Sequence, residues 1–288
     1  MKMEKSWYKK GEALLEEMQQ TRTGSPEVTM ALWYLGQSGF AMKTGQSGCQ
    51  TWMDPILADI TDEMGNTRKY YPAPFSPRLA KADYVICTHG HIDHMNSETL
   101  KGLAAGNPQA VFVIPGACYE EVLSMGIPEE NIRQINEGEV LELGGLTIQA
   151  ISAAHPRHEK DEQGRSKALC YYVESNGISL LHLGDTYLTE QLLSDLEKLP
   201  PPDIFIVPIN GGDLFRTRNH CIGNLNMTEA AKLARFIKAD LTIPAHYDMI
   251  YGNTADPLEF VRILRCLDSS ARVSLPSLGE RMILSKLR

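Results

Sequence analysis

Long apolar runs and paired cysteines are both missing from this 288-residue chain. No apolar stretch reaches the roughly 20 residues that a membrane-spanning helix requires, so we expect no membrane span. The six cysteines contain no CxxC pair and no regular spacing, which disfavours a disulfide framework and favours a reducing, cytoplasmic location. Cys87 and Cys170 lie within apolar runs and are interpreted as small core residues.

Positive charge is also in short supply. The chain has 28 Lys and Arg against 36 Asp and Glu, and its net charge of −8 disfavours nucleic acid as a partner. The start, Met1-Lys2-Met3-Glu4-Lys5, precedes no apolar core, so we expect no signal peptide. No Gly/Ser tract, charge block or repeat divides the chain. We therefore expect an amphipathic helix and lead-in over 1–27 and a single domain over 28–288.

Strand-like and helical patterns alternate along the chain, which indicates an α/β layer architecture. Helices are expected near 5–20, 96–105, 117–125, 188–198, 228–238 and 256–267. Strands are expected near 29–35, 38–43, 49–54, 83–88, 110–114, 146–151, 168–174, 178–183, 203–207, 241–244, 272–275 and 281–286. Thr228 is the predicted cap of its helix. The amphipathic first helix could pack on the domain or on another subunit, so a homo-oligomer stays open.

The densest chemical signal is the segment Thr88-His89-Gly90-His91-Ile92-Asp93-His94, which follows an apolar run. Burying these imidazoles and this carboxylate without partners would cost free energy, whereas together they could bind one or two divalent cations. Residues two apart point the same way in an extended segment, so His89 and His91 can bind one ion. Asp93 and His94 lie just beyond and can face a second.

Three further candidate ligands each follow a strand-like run: His155, Asp185 and His246. We assign His155 to the first ion, with His89 and His91. His246 joins Asp93 and His94 at the second ion, and Asp185 bridges both. His158 is close to His155 in sequence and could take its place.

These ligand types admit zinc, manganese or iron. Two ions about 3.5–4 Å apart can hold a hydroxide, and Asp93 is the predicted catalytic residue that orients the attacking water and carries its proton. Asp54, at a strand end, is expected to accept hydrogen bonds from the ligand imidazoles. The role of His182 is open between the core, support of a ligand and proton donation.

The ordered ligands resemble those of the metallo-β-lactamase superfamily. Within it, the chain resembles the L-ascorbate-6-phosphate lactonase family and its relatives. The similar segments are 31–40, 86–94, 126–129, 181–185 and 243–248, together with the strand end at Asp54. The resemblance implies a four-layer αβ/βα sandwich of two mixed sheets flanked by helices, with the metals at one edge of the sheets.

The resemblance also narrows the chemistry. The common zinc β-lactamases would carry Cys at position 185 and lack His94, and the RNA-processing branch would carry an insertion that the interval from His155 to Asp185 has no room for. We therefore predict hydrolysis of a small anionic sugar-acid lactone by a metal-bound hydroxide. The alternatives are a phosphodiesterase or nuclease of the same superfamily, and a non-catalytic metal-binding regulator.

The predicted anionic substrate needs cationic partners. Two clusters offer them. Arg157, His158 and Lys160 lie near His155, and Arg216 and Arg218 lie in the segment 216–221, which is expected to be a loop.

Overall fold

The computed structural model describes residues 6–25, 29–218 and 221–285. The chain divides into two compact units, the first comprising Met1–Ile114, Cys118–Gln134 and Pro276–Arg288, and the second comprising Pro115–Ala117 and Ile135–Leu275. Each unit is built on one mixed β-sheet with helices of its own. The predicted fold class, α/β with two mixed sheets flanked by helices, is confirmed.

The strands are short, and the bounds of most of them follow the apolar runs. They are β1 (Met30–Gly36), β2 (Gly39–Thr44), β3 (Cys49–Met53), β4 (Tyr84–Ile86), β5 (Val111–Pro115), β6 (Ile132–Ile135), β7 (Val140–Leu143), β8 (Leu146–Ser152), β9 (Leu169–Ser175), β10 (Ile178–His182), β11 (Ile204–Pro208), β12 (Leu241–Ala245) and β13 (Arg281–Leu284). The α-helices are α1 (Gly11–Gln20), α2 (Ser97–Gly106), α3 (Tyr119–Ser124), α4 (Glu190–Leu196), α5 (Leu214–Arg218), α6 (Met227–Ile237) and α7 (Pro257–Leu267).

The sheet of the first unit has the strand order β13-β1-β2-β3-β4-β5-β6. Strand β3 is parallel to β4 and antiparallel to β2, and Met53 pairs with both Phe40 and Ile86. The ends of β3 and β4 and the turn between β1 and β2 therefore share one edge of this sheet. Trp33, Trp52 and other fully buried side chains form the core of this unit.

The sheet of the second unit has the order β12-β11-β10-β9-β8-β7. Strands β10, β11 and β12 are parallel. Strand β8 is antiparallel to β9, which is antiparallel to β10, so β8 and β10 run the same way. Because the ends of β8, β10 and β12 therefore meet at one edge, the residues that follow these strands are brought to the same side of the sheet.

The start of the first helix was predicted wrongly. Residues 6–10 are not helical, and α1 begins at Gly11. Tyr8 N–H donates to the Leu278 carbonyl and Gly11 N–H to the Pro74 carbonyl, so this segment is bound to other parts of the unit. Residue 5 lies outside the described residues.

Other element predictions also need correction. Residues 272–275 form no strand, and Val273 makes only an isolated bridge to Thr242. Strands β6 and β7 were not predicted, because each is four residues long and polar residues interrupt it: Arg133 and Gln134 in β6 and Glu142 in β7. Residue 286 of the expected last strand lies outside the described residues. Helix α5 occupies part of the expected loop 216–221, and residues 219–220 of that loop also lie outside the described residues.

The capping residue of α6 is Asn226 and not Thr228. The Asn226 side chain accepts hydrogen bonds from the N–H groups of Thr228 and Glu229, and the Glu229 side chain accepts one from the Asn226 N–H. This reciprocal capping box satisfies N–H groups that have no partner within the helix.

Two predictions drawn from absences can be compared with the described residues. Within 6–25, 29–218 and 221–285, no helix combines the length and the apolar character that crossing a membrane requires. None of the six cysteines, all of them described, forms a disulfide. Cys87 and Cys170 are fully buried, as predicted, and burial raises the pKa of both thiols.

Candidate metal centre

The histidine-rich loop is a compact turn between β4 and α2. Its backbone is closed by hydrogen bonds from the N–H groups of His94 and Met95 to the His91 carbonyl, at 2.9 and 2.7 Å. Helix α2 begins directly after it, where the Asn96 side chain accepts a hydrogen bond from the Thr99 N–H. The second half of the loop, which carries Asp93 and His94, is therefore held by backbone bonds and by the start of α2.

His89 and His91 present ring nitrogens to each other. Their Nε2 and Nδ1 atoms are 2.9 Å apart. Two nitrogens that each lie 2.0–2.1 Å from one ion, at an angle between roughly 90° and 110°, would be about 2.9–3.4 Å apart. The pair is thus spaced as two ligands of a single ion. His89 is buried and His91 is exposed, so the pair extends from the protein interior to the solvent.

His94 is oriented by a buried carboxylate. Its Nδ1 lies 2.7 Å from Asp54 Oδ2, and both side chains are fully buried. Thr88 holds the same carboxylate from the other side, because its N–H donates to Oδ1 at 2.8 Å and its hydroxyl to Oδ2 at 2.7 Å. With Nδ1 engaged by Asp54, Nε2 is the His94 nitrogen that can bind a metal, an arrangement typical of carboxylate–histidine–metal sites.

The side chain of Asp93, in this loop, contacts the connection between β1 and β2. Its Oδ2 is 3.9 Å from His94 Nε2 and accepts a hydrogen bond of 2.8 Å from Gln37 Nε2. Gln37 was not among the residues predicted for the site. The sequence carried no signal for it, because a polar side chain in the turn Gly36-Gln37-Ser38-Gly39 between two apolar strands is ordinary.

The second unit brings its three predicted ligands together at the edge where β8, β10 and β12 end. Asp185 Oδ2 lies 3.5 Å from His155 Nε2 and 3.2 Å from His246 Nε2. All three side chains are buried. A single carboxylate oxygen near two imidazole nitrogens has the arrangement expected of a ligand that shares ions with both.

Hydrogen bonds join the segments that carry His155 and Asp185. Ala154 N–H donates to the Thr186 hydroxyl at 3.0 Å, and Tyr187 N–H donates to the Ala154 carbonyl at 2.8 Å. These bonds hold the residues after β8 beside those after β10, which brings the His155 and Asp185 side chains next to each other.

His158 occupies a different position from His155. It is exposed, and its ring nitrogens lie 2.7 Å from the Ser152 hydroxyl and 2.9 Å from the Thr189 hydroxyl. Of the two histidines that the sequence left open, His155 is the one beside Asp185.

His182 is fully buried at the end of β10, and its Nδ1 accepts a hydrogen bond of 3.0 Å from the Gly184 N–H. The ring therefore shapes the turn that leads to Asp185. This contact suits the interpretation of His182 as a core residue that supports the strand end.

The cationic residues predicted to contact the substrate have different partners within the protein. The Arg157 side chain is exposed and pairs with Glu159, and Lys160 pairs with Glu137. Arg216 is only 16% exposed; its guanidinium donates to the carbonyls of Asn210, Gly211 and Thr254 and pairs with Asp213. These contacts give Arg216 a structural role, in which it joins α5 to the segments that carry Asn210 and Thr254. Arg218 is exposed at the end of α5.

The donor set is chemically suited to divalent metals. Imidazole nitrogens and carboxylate oxygens suit zinc, iron and manganese, and the described His and Asp side chains include groups that could hold a metal ion. The separations within the first group, between His89 and His91, and within the second, around Asp185, agree with ligands that share ions.

Comparison with known proteins identifies the family. The β-lactamase superfamily domain matches residues 31–246. A UPF0173 metal-dependent hydrolase of Methanoregula boonei is 30% identical over 244 residues, which cover 81% of this chain and 96% of that protein.

Two solved structures share the fold. Igni18, a metallo hydrolase from Ignicoccus hospitalis, has a TM-score of 0.66 at 20% identity; the match covers 90% of this chain and 99% of Igni18. A possible metal-dependent hydrolase from Veillonella parvula has a TM-score of 0.69 at 16% identity, over 89% of this chain and 100% of that one. At these identities the structures establish the fold alone.

The superfamily match includes both donor groups, from the strand before Gln37 to His246. The resemblance to the L-ascorbate-6-phosphate lactonase family stays a prediction. The chain belongs to the β-lactamase superfamily and, within it, to the UPF0173 family of metal-dependent hydrolases.

Proposed function

We propose that this protein opens the lactone ring of a small anionic sugar acid in a metal-dependent hydrolysis. The observation that carries the proposal is a donor group in each unit, within which the nitrogen and oxygen atoms have the separations of ligands around a common ion. The lactone itself is supported by the resemblance of the flanking segments to the L-ascorbate-6-phosphate lactonase family.

The proposed site combines the two donor groups. His89, His91 and His155 would bind the first ion, and Asp93, His94 and His246 the second. Asp185 would bind both. With Asp185 shared, these seven residues would give each ion four ligands, the number that zinc normally takes.

Bound metal would polarise the substrate carbonyl and lower the pKa of a bound water to about 7. The residues of this chain would do the rest. Asp93 is partly exposed and can orient the attacking water and accept its proton. Asp54 would keep His94 in the tautomer that leaves Nε2 for the metal.

The proposed substrate carries a negative charge, and exposed cations would bind it. Arg157 and Arg218 are exposed, although Arg157 already pairs with Glu159. A charge-assisted hydrogen bond contributes about 1.5–3 kcal/mol, or roughly 10- to 150-fold in affinity. Arg218→Ala should therefore raise KM for a phosphorylated lactone and leave KM for an uncharged lactone nearly unchanged. Arg216→Ala is the comparison for structural damage and should affect both substrates equally.

The test begins with purified protein dialysed free of metal and reloaded separately with zinc, manganese or iron. Metal per chain is measured by elemental analysis, and each form is assayed on phosphorylated and uncharged lactones and on a phosphodiester. Two ions per chain and lactone opening that a chelator abolishes would support the proposal.

Other outcomes would overturn it. Cleavage of the phosphodiester or of RNA without any lactone opening would assign the protein to the phosphodiesterase alternative. Binding of two ions with no turnover on the whole panel would favour a non-catalytic metal-binding regulator.

A further inference from the structure

We infer that Gln37 is a positioning residue that sets the orientation of the Asp93 carboxylate and thereby the affinity for the second ion. The inference rests on the proposed function, in which Asp93 binds that ion. It concerns a residue to which the family motif and the predicted ligand set give no role.

The backbone holds Gln37 in an unusual conformation. The turn between β1 and β2 is short, with Gly36 paired to Gly39, and Gln37 has φ of 55°. This left-handed conformation is unfavourable for a residue with a side chain and persists where the surroundings enforce it. A Cβ at Gly36 would lie 2.0 Å from the Tyr71 hydroxyl, so the residue before Gln37 must be glycine with Tyr71 in this position.

The turn places the Gln37 side chain where a solvated polar residue would not be found. Gln37 is fully buried. Its amide Nε2 donates to Asp93 Oδ2 across 56 positions of sequence, at 2.8 Å. Burying an amide is costly unless its hydrogen bonds are made, so the contact with Asp93 accounts for the burial of the donor end of this side chain.

The bond has a direct consequence for the carboxylate. A hydrogen bond to one oxygen opposes rotation about the Cβ–Cγ bond of Asp93 and fixes which oxygen edge faces His94 Nε2, 3.9 Å from Oδ2. An amide carries no charge and does not titrate, so it orients Asp93 without neutralising it. A carboxylate that stays charged and oriented is the better ligand. Loss of a partner that orients a metal ligand typically lowers metal affinity by 10- to 100-fold.

The decisive variant is Gln37→Met, which keeps a side chain of similar length and the Cβ but removes the donor. Gln50→Met is the matched control. Gln50 is a buried glutamine of the same sheet, in β3, and its amide lies 3.5 Å from the carbonyl of Met18 in α1. Metal-free protein is titrated with zinc or manganese, and the affinities of the first and second ion are measured by calorimetry.

We expect Gln37→Met to leave the first ion unchanged and to weaken the second by 10- to 100-fold, while Gln50→Met changes neither. In an Asp93→Asn background, Gln37→Met should have no further effect on the second ion. A second variant, Gln37→Asn, keeps the amide on a shorter side chain and provides the same measurement if the methionine variant does not fold.

The outcomes separate the two ideas. If Gln37→Met bound both ions with wild-type affinity, the positioning role alone would be overturned. The same conclusion would follow if Gln37→Met lost equal affinity for both ions and Gln50→Met did so too, because the loss would then reflect general destabilisation. Wild-type protein that binds two ions but hydrolyses nothing would overturn the proposed function and leave the effect of Gln37 on metal affinity standing. Wild-type protein that binds only one ion would overturn both.

Discussion

Three side chains of the candidate metal centre extend from backbone that is unfavourable for residues other than glycine. Among the described non-glycine residues, positive φ occurs at Gln37, Asp54 and His246, and otherwise only at Asn176 and Lys238. Such conformations typically cost 1–3 kcal/mol each and cluster at functional sites, where surrounding contacts enforce them. Each of the three residues directly follows a strand, and the positive φ turns its side chain toward the candidate metal ligands or their partners.

The role of Asp93 can be tested by removing its charge. Asp93→Asn keeps the shape of the side chain but weakens its binding to the metal and its ability to accept a proton. We expect the fold to be retained and kcat to fall by roughly 10²- to 10⁴-fold, the usual contribution of a general base. Steady-state kinetics on the lactone that gives turnover provide the measurement. Asp240→Asn, at an exposed aspartate, is the control, and a loss of only a few-fold at Asp93 would remove it from the catalytic role.

Lys69 gives a pH-dependent prediction. Burial lowers the pKa of Lys69 to about 8, partly opposed by the nearby charge of Asp59. Its Nζ donates to the Ala58 carbonyl at 2.8 Å. Because the unfolded chain keeps this proton up to an ordinary pKa of about 10.4, the unfolded state binds more protons between pH 8 and 10, and the free energy of unfolding rises with pH there.

The Lys69→Met variant should lack that rise. The difference in the free energy of unfolding between wild type and variant should change by roughly 2 kcal/mol from pH 8 to pH 10, in favour of the wild type at high pH. Urea denaturation at several pH values provides the measurement, and the exposed Lys101→Met is the control. Parallel stability curves for wild type and Lys69→Met would contradict the lowered pKa.

At the element scale, the capping box of α6 gives a prediction that separates the observed cap from the one expected from the sequence. Asn226→Ala removes the acceptor for the Thr228 and Glu229 N–H groups and should lower the free energy of unfolding by about 1 kcal/mol. Thr228→Ala should change it by less than about 0.5 kcal/mol, as a surface substitution without a capping role. Denaturant titration of both variants measures the difference, and the reverse order would restore Thr228 as the cap.

At the scale of the whole molecule, bound metal should stabilise the folded protein. A ligand that binds only the folded state at 100 times its Kd adds about 2.7 kcal/mol, so removal of the metal by a chelator should lower Tm. Calorimetry of the metal-loaded and metal-free forms measures the shift, and excess zinc or manganese should restore it. His158→Ala should keep the shift because His158 bonds to Ser152 and Thr189, and His246→Ala should reduce it. An equal Tm with and without metal would contradict metal binding to the folded state.

The same scans bear on the domain organisation. The expectation of one domain over 28–288 stays a prediction, and it requires a single cooperative transition for the two units defined above. Two separate transitions, one of them insensitive to metal, would show that the units unfold independently.

The sequence alone determined the chemistry of the donors and much of the secondary structure. The segment from His89 to His94 is local, so its clustered imidazoles can be recognised from sequence spacing. The apolar runs located most strands within one or two residues, because burial on both faces of a strand requires them. The starts of α1 and α6 escaped prediction, because one depends on hydrogen bonds to Leu278 and Pro74 and the other on a choice between two capping residues.

Tertiary structure decided which of these donors meet and what supports them. His155 and Asp185 come together because β8 and β10 run the same way in one sheet, a pairing that neither segment specifies by itself. The hydrogen bond from Gln37 to Asp93 joins residues that are distant in sequence. The hydrogen bonds from Arg216 to backbone carbonyls likewise depend on how the chain folds back on itself. Residue types and local spacing therefore carried the donor chemistry, whereas strand pairing and chain closure set the contacts that orient it.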